Sequence, residues 1–206
     1  MGSEHSLRAT ASGNGPIEQS NSDHTIDGQE TQLVARLRDG DSDALRTIIA
    51  HYANRLSKFA FYIVGSRDTA EDVVQYVFIH LWDRRESLDS NSRLKSYLFR
   101  AVQNRSLNEL ARETTRASYQ RDVLEESEAG IVPVMVTNPE DAILTRAVVQ
   151  SAIEQLSERR RLAIRLRMEE EMSHAEIGEV LEISAMAAQR LVARAIMDLR
   201  AILQLD

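Results

Sequence analysis

The chain has 206 residues, of which 43% are hydrophobic and 28% charged, with three prolines and eight glycines. This composition is typical of a folded, helix-rich protein and excludes a disordered chain, and the length suits one ordinary domain or two small ones. The absence of cysteine excludes disulfides, thiolate zinc sites and a cysteine nucleophile, and it fits the reducing cytoplasm, where we expect the protein to act. A net charge of −7 argues against uniform binding of a polyanion, so the distribution of the charges matters more than their sum.

The N-terminal segment, residues 1–28, is rich in Ser, Gly, Asn and Thr and has few large apolar side chains. Burial therefore cannot offset the entropy cost of ordering it, and we expect a flexible tail. No apolar run reaches the roughly 20 residues that a membrane-spanning helix needs, and the segment lacks the basic and apolar regions of a signal peptide. We therefore expect neither secretion nor membrane insertion.

Apolar residues recur at three- and four-residue spacing in four segments of residues 29–112, which predicts a four-helix domain. The first segment ends at a polar break that includes Gly40. The second begins at an N-cap, Asp41 or Ser42, and ends at Gly65, because glycine readily adopts the left-handed conformation that terminates helices.

The third and fourth segments complete this domain. Asp68 and Glu71 have capping-box spacing, which predicts that the third helix begins there and runs to about Trp82. A polar turn follows at residues 89–92, and the pattern predicts a fourth helix over residues 93–111.

A second helical domain is predicted in residues 139–206, after a linker at residues 113–138 that has weak periodicity and an acidic patch. Ser173 and Glu176 have capping-box spacing, and Ser184 caps a longer final helix. Two helices separated by a short turn, the second long and carrying cations, have the layout of a helix-turn-helix. The predicted fold class is all-α, with two small helical domains joined by a linker and a helix-turn-helix in the C-terminal domain.

Several motifs resemble those of bacterial RNA polymerase sigma factors. Residues 68–75, with the sequence Asp-Thr-Ala-Glu-Asp-Val-Val-Gln, resemble the sigma-factor helix that docks on the largest polymerase subunit, and residues 94–104 resemble the helix that engages the minus-ten promoter element. Three further stretches are similar to the C-terminal sigma domain, which reads the minus-thirty-five element: residues 138–142, 153–159 and 173–184. The motifs occur in the family's order, and the chain is identified as a member of the extracytoplasmic-function (ECF) subfamily.

The resemblance implies an alternative sigma factor that binds core RNA polymerase and promoter DNA, with no catalytic site, metal or cofactor. Because many members of the family are held inactive by an anti-sigma factor, it also implies such a partner. Residues 29–112 would bind polymerase and the minus-ten element, and residues 139–206 the minus-thirty-five element. The site residues that it implies are Asp72, Gln75, Phe78 and Trp82 for core polymerase; Arg93, Lys95, Tyr97, Arg100 and Asn104 for the minus-ten element; and Ser184, Gln189, Arg190 and Arg194 for the minus-thirty-five element.

Charge and residue type fit these roles. Residues 84–121 contain nine basic and four acidic residues, so this stretch is basic inside an acidic protein, and cationic grooves with aromatic or amide groups suit unstacked bases. The five arginines that precede the helix-turn-helix are interpreted as phosphate contacts or solvated side chains: Arg159, Arg160, Arg161, Arg165 and Arg167. The chain departs from the family at residues 187–189, where Ala-Ala-Gln replaces a more polar and basic start of the recognition helix, and at Tyr76, where an acidic residue is usual.

Two other functions remain open from the residues. A helix-turn-helix regulator could bind operators without polymerase, and a helical interaction protein could have a recognition helix that no longer reads DNA. An enzyme is disfavoured, because Glu171 and His174 have the spacing of a di-iron motif without its partner motifs, and no Gly-rich phosphate loop is present.

Overall fold

The computed structural model describes residues 30–88, 93–121 and 142–204, and these residues are helical with no strand. The helices are α1 (Glu30–Arg38), α2 (Ser42–Val64), α3 (Arg67–Asp83), α4 (Leu94–Arg121), α5 (Ala142–Glu154), α6 (Glu158–Met168), α7 (His174–Leu181) and α8 (Ala185–Leu203), with a 3-10 turn (Arg85–Ser87) after α3. This confirms the all-α prediction. The predicted tail and most of the predicted linker lie outside the described residues. None of the helices in the described ranges is long and apolar enough to span a membrane.

The ends of α2 and the start of α3 follow from local side-chain chemistry. Asp41 is the N-cap of α2, and its carboxylate accepts a hydrogen bond from the Asp43 amide at 2.8 Å. Gly65 ends α2 with φ 72°, as predicted. The prediction for α3 was wrong, because the N-cap is Ser66, whose hydroxyl accepts from the Thr69 amide at 3.4 Å. Asp68 instead lies in the first turn, where its charge complements the helix dipole.

The N-terminal domain packs α1, α3 and α4 against α2. Tyr52 and Leu56 of α2 are fully buried, and the rings of Phe59 in α2 and Phe99 in α4 meet edge to face with centroids 5.2 Å apart. Burying such a side chain contributes about 1.5–3 kcal/mol, so α4 is an integral part of this core. Helix α4 continues to Arg121, past the residue at which the sequence pattern predicts the linker to begin.

The C-terminal domain packs α5, α6 and α7 against α8. The predicted capping box at the start of α7 is confirmed: the Ser173 hydroxyl accepts from the Glu176 amide at 3.3 Å, and the Glu176 carboxylate accepts from the Ser173 amide at 2.8 Å. Ser184 caps α8 by accepting from the Ala187 amide at 3.1 Å. Helices α7 and α8 therefore form the predicted helix-turn-helix.

The turn between α7 and α8 depends on a close backbone approach at Gly178. A Cβ atom at this position would lie 2.7 Å from the carbonyl oxygen of Ile183, whose own amide donates to the Gly178 carbonyl at 2.9 Å. Glu182 completes the turn in the left-handed conformation, with φ 53°. Only glycine leaves room at position 178 for the chain to reverse this tightly.

We predict that Gly178→Ala destabilises the C-terminal domain by roughly 1–3 kcal/mol, because the added methyl group must displace backbone atoms. At an ordinary interior helix position the same change would stabilise the helix by about 1 kcal/mol, so the sign of the effect is diagnostic. Urea unfolding followed by circular dichroism measures it. Glu179→Ala, at the next and exposed position of α7, is the control and should change stability little. A Gly178→Ala protein as stable as the parent would contradict the packing described.

Candidate polymerase and promoter interfaces

Helix α3 presents a polar face to solvent beside an apolar groove. Asp72 and Gln75 are exposed, whereas Val73, Val74 and Val77 are buried in the core. The groove lies between α2 and α3, has a volume of about 480 Å³ and is open to solvent; its lining includes Leu45, Ile49, Val74, Gln75, Phe78, Ile79 and Trp82. The structure thus brings three of the four predicted polymerase-binding residues to one groove, with Asp72 on the exposed side of α3 next to it.

Phe78 and Trp82 differ in their accessibility. Phe78 is only 8% exposed, so most of its ring belongs to the core and only an edge lines the groove. Trp82 is half-buried, and the Arg85 guanidinium lies 4.6 Å from the centroid of its ring. A partner that enters the groove would therefore contact the Trp82 surface more than that of Phe78.

Tyr76, where the family favours an acidic residue, joins α3 to α4. Its ring stacks on His80 with centroids 3.8 Å apart, and the Arg105 guanidinium lies 4.2 Å from its centroid. Arg105 also pairs with Glu109 at 3.0 Å. With Tyr76 in place of an acidic residue, this face has one negative charge fewer. The Tyr76 ring also holds Arg105 of α4 against α3 through a cation–π contact.

The five predicted minus-ten residues do not form one exposed set. Arg100 and Asn104 are exposed, the Arg93 side chain is 56% exposed, and Tyr97 is half-buried. Lys95 is only 8% exposed, in contrast to the freely accessible cation that the sequence pattern suggests. Its backbone amide donates to the Glu30 carboxylate at 3.2 Å, which links the start of α4 to α1.

Acidic residues of the C-terminal domain contact this minus-ten surface. The Arg93 guanidinium lies 3.6 Å from the Glu176 carboxylate of α7, and the Asn104 side-chain amide donates to the Glu182 carboxylate at 3.1 Å. Burial disfavours the charged form of Glu176, but hydrogen bonds from Ser173 and the charges of Arg93 and Lys95 outweigh this and hold its pKa below the ordinary value. Glu176 is thus an ionised partner for the basic start of α4.

A second set of contacts joins α2 to the end of α6. Arg55 pairs with Glu170 at 2.6 Å and Lys58 pairs with Glu169 at 2.8 Å. Burial disfavours the charged form of Lys58, but the hydrogen bond and charge of Glu169 prevail and raise its pKa. The sequence analysis did not assign these residues. The signal that could have pointed to them is the acidic run at residues 169–171, although the cations that it meets, Arg55 and Lys58, lie on α2 and outside the basic stretch at residues 84–121.

Arg165 is not a phosphate contact, contrary to one of the two interpretations of the five arginines. Its side chain is 2% exposed, pairs with Glu154 and Glu169, and lies 3.5 Å from the centroid of the Tyr62 ring. A buried guanidinium must find such partners, because its desolvation is otherwise too costly. Arg160 and Arg161 also pair within the domain, with Asp198 and Glu154.

The predicted minus-thirty-five residues lie on the N-terminal half of α8. Gln189, Arg190 and Arg194 are exposed, and Ser184 serves as the N-cap of the helix. Met186 is 61% exposed, and its sulfur lies 3.2 Å from the Arg190 guanidinium. The surface that a recognition helix would turn toward base edges is therefore unusually apolar, with few cations.

Comparison with known families agrees with this architecture. The Sigma-70 region 2 family matches residues 48–116, which lie in α2, α3 and α4, and the Sigma-70 region 4 family matches residues 146–199, which span most of the C-terminal domain. The two matches contain the sigma-like motifs at residues 68–75, 94–104, 153–159 and 173–184.

Individual proteins point the same way. The ECF RNA polymerase sigma-E factor of Escherichia coli K12 is 30% identical over 156 residues, covering 73% of this chain and 81% of that protein. The ECF sigma factor SigW of Bacillus subtilis is 25% identical over 73% of this chain and 83% of its own length. The fold is shared with the sigma factor RpoE of Bartonella quintana, solved with the anti-sigma factor NepR, at a TM-score of 0.60 and 23% identity over 78% of this chain and 97% of that one. CnrH, solved with the cytosolic domain of CnrY, has a TM-score of 0.59 and 24% identity over 85% of this chain and 97% of its own. The chain therefore belongs to the ECF family of RNA polymerase sigma factors, the alternative sigma factors that bind core polymerase and direct promoter recognition.

Proposed function

We propose that three surfaces of this sigma factor each bind a different partner. The exposed side of α3 and the adjacent groove bind core polymerase, α4 holds the unstacked minus-ten strand, and the N-terminal half of α8 reads the minus-thirty-five element. The observation that carries this assignment is the exposure of Arg93, which immediately precedes α4, and of Arg100 on α4, in the same domain as exposed Asp72 and Gln75. One rigid domain can then bind polymerase and hold opened DNA together.

The proposed minus-ten contact relies on electrostatics and on groups that suit bases. The Arg93 carbonyl accepts a hydrogen bond from the Tyr97 amide at the start of α4, so Arg93 lies directly next to the helix that carries Arg100. We propose that these two exposed cations follow one phosphate backbone. Tyr97 lies between them and keeps part of its ring accessible, which allows it to stack on an unpaired base. We propose that Lys95 reaches DNA only after its surroundings rearrange.

The proposed minus-thirty-five surface has fewer cations and more exposed apolar side chains than the proposed minus-ten surface. Gln189 can read adenine and Arg190 can read guanine in the major groove, and Arg194 can contact phosphate. Exposed Met186 lies one turn before Arg190 and offers apolar contact to a thymine methyl group. We expect this helix to add to promoter affinity less than α4 adds to opening.

We further propose that the protein acts in the cytoplasm, without catalytic chemistry, metal or cofactor, and that an anti-sigma factor binds it. The proposal of this partner is supported by the solved relatives from Bartonella quintana and in the CnrH complex, each of which is bound to a second protein. A regulator that acts without polymerase is the alternative function. Co-purification of core polymerase with the tagged full-length chain tests it, because such a regulator would not retain the polymerase subunits.

We predict that the double variant Asp72→Arg with Gln75→Ala weakens core polymerase binding by about tenfold or more, since both side chains are exposed beside the groove. A competition assay against a labelled sigma factor measures the affinity. Glu158→Arg with Gln155→Ala is the matched control, because it makes the same changes at exposed positions of the C-terminal domain. Equal affinity of the two double variants would contradict the assignment of α3.

We predict that Arg93→Ala with Arg100→Ala abolishes promoter opening while core binding remains, because two phosphate contacts are lost and the salt dependence falls by about one unit for each. Arg190→Ala with Arg194→Ala should weaken promoter binding by roughly 1–3 kcal/mol per base contact and retain some opening on a strong minus-ten sequence. Thymines reactive to permanganate, counted at two salt concentrations, report the opening.

The matched control for this comparison is Arg38→Ala with Arg200→Ala, which removes two exposed arginines, one at the end of α1 and one in the last turn of α8. It should open promoters as the parent does. Full opening by the Arg93 and Arg100 variant, together with none by the Arg190 and Arg194 variant, would reverse the ranking of the two DNA-binding surfaces.

A further inference from the structure

We propose that the C-terminal domain competes with promoter DNA for the minus-ten surface of its own chain. In this closed state, carboxylates of the helix-turn-helix occupy on α4 the places where anionic DNA would bind. The inference rests on the proposed role of α4. It adds a built-in block that promoter DNA must displace, because Arg93 and Asn104 cannot bind the carboxylates and DNA at the same time.

The α7 contacts fall on the residues assigned to DNA. Glu176 lies 3.6 Å from Arg93, and its pKa is lowered by the charges of both Arg93 and Lys95. Glu182 accepts a hydrogen bond from Asn104. A carboxylate resembles a phosphate or a base edge in offering oxygen acceptors, so these contacts imitate the ones that DNA would make. Two of the five minus-ten residues, Arg93 and Asn104, are engaged in this way.

The α2 contacts hold the domain in this position without touching the minus-ten residues. Arg55 and Lys58 on one side of α2 pair with Glu170 and Glu169. One turn further along α2, the ring of Tyr62 packs against the buried Arg165. Because Arg165 also pairs with Glu169, the cation–π contact and the ion pair of Lys58 form one connected network. This network fixes the orientation that brings α7 onto α4.

The chemistry of these contacts makes the closed state reversible. Ion pairs with partly exposed members are weakened by salt and compete poorly with a dense phosphate backbone. DNA that binds α4 would favour the open state, because a ligand shifts such an equilibrium by its preference for one form. The arrangement therefore suppresses contact of the free protein with DNA and yields when a promoter competes for α4.

The carboxylates can be neutralised without disturbing the helix-turn-helix itself. Glu176→Gln keeps the capping box, because glutamine also accepts the Ser173 hydrogen bond. Glu182→Asn suits the left-handed turn, which asparagine tolerates better than glutamate. With Glu170→Gln, these changes form a triple variant that removes three charges from the contacts between the domains.

Small-angle scattering of the full chain at low salt tests the closed state. We expect a larger radius of gyration for the triple variant than for the parent, and the parent should expand as salt is raised. The control is Glu158→Gln with Glu171→Gln and Glu179→Gln, which removes the same charge from exposed positions and should stay as compact as the parent. Equal radii for the triple variant and the parent at low salt would overturn the proposal.

A reversible cross-link tests the functional consequence. Because the natural chain has no cysteine, Lys58→Cys with Glu169→Cys can be joined selectively by a reducible bismaleimide. With core polymerase and genomic promoter fragments, the cross-linked protein should lose promoter opening and regain it on reduction, whereas the same variant without linker stays active. Opening by the cross-linked protein at the level of the reduced one would overturn the block. If no chain, including the parent, supports transcription, the proposed function fails instead, and scattering alone decides whether the closed state exists.

Discussion

The packing of helix α4 constrains both halves of the molecule, because one helix must close a hydrophobic core and also present cations to a partner. Its buried side includes Leu98, Phe99 and Val102, which pack in the N-terminal domain. Its accessible side carries Arg93 and Arg100, and the C-terminal domain packs on the same helix through α7. Rigidity favours DNA binding, since a helix fixed by its core loses little entropy when it binds. Because the helix is rigid, a group that packs on its accessible side blocks that whole side.

The protein is acidic overall, but it has a basic surface that acidic residues of its own C-terminal domain cover in the proposed closed state. The net charge of −7 opposes nonspecific attraction to nucleic acid. The acidic residues 169 and 170 pair with the basic residues of α2, and Glu176 lies close to Arg93. Glu182 accepts a hydrogen bond from the Asn104 amide. Several polar groups on α4 remain poorly satisfied, among them the Ser96 hydroxyl and the Gln103 carbonyl, which have no hydrogen-bond partner among the described residues. Leaving such groups buried costs about 1–3 kcal/mol each, so the interior around α4 is far from optimised for stability alone.

In the helix-turn-helix, different residues determine the geometry of the turn and the exposed surface of α8. Gly178 and Ser184 satisfy the backbone geometry of the turn, and the structure agrees with the sequence pattern there. The exposed face of α8 is free of that constraint and carries Met186, Gln189 and Arg190. The geometry of the turn therefore does not depend on the side chains that this face presents.

The sequence by itself determined the helices, their caps at Ser173 and Ser184, and the membership of the sigma-factor family, because these depend on local spacing and on motifs in a fixed order. It left the cap of α2 open between Asp41 and Ser42, and the structure selects Asp41. It misplaced the cap of α3, since Ser66 and Asp68 are both good caps and only the backbone path after Gly65 selects between them. Tertiary structure alone decided that Lys95 and Arg165 are buried and that Glu176 of α7 meets Arg93, one of the predicted minus-ten residues. Burial, and polar contacts between residues 78 or 115 positions apart, depend on how domains pack, and no local pattern in the chain encodes that packing.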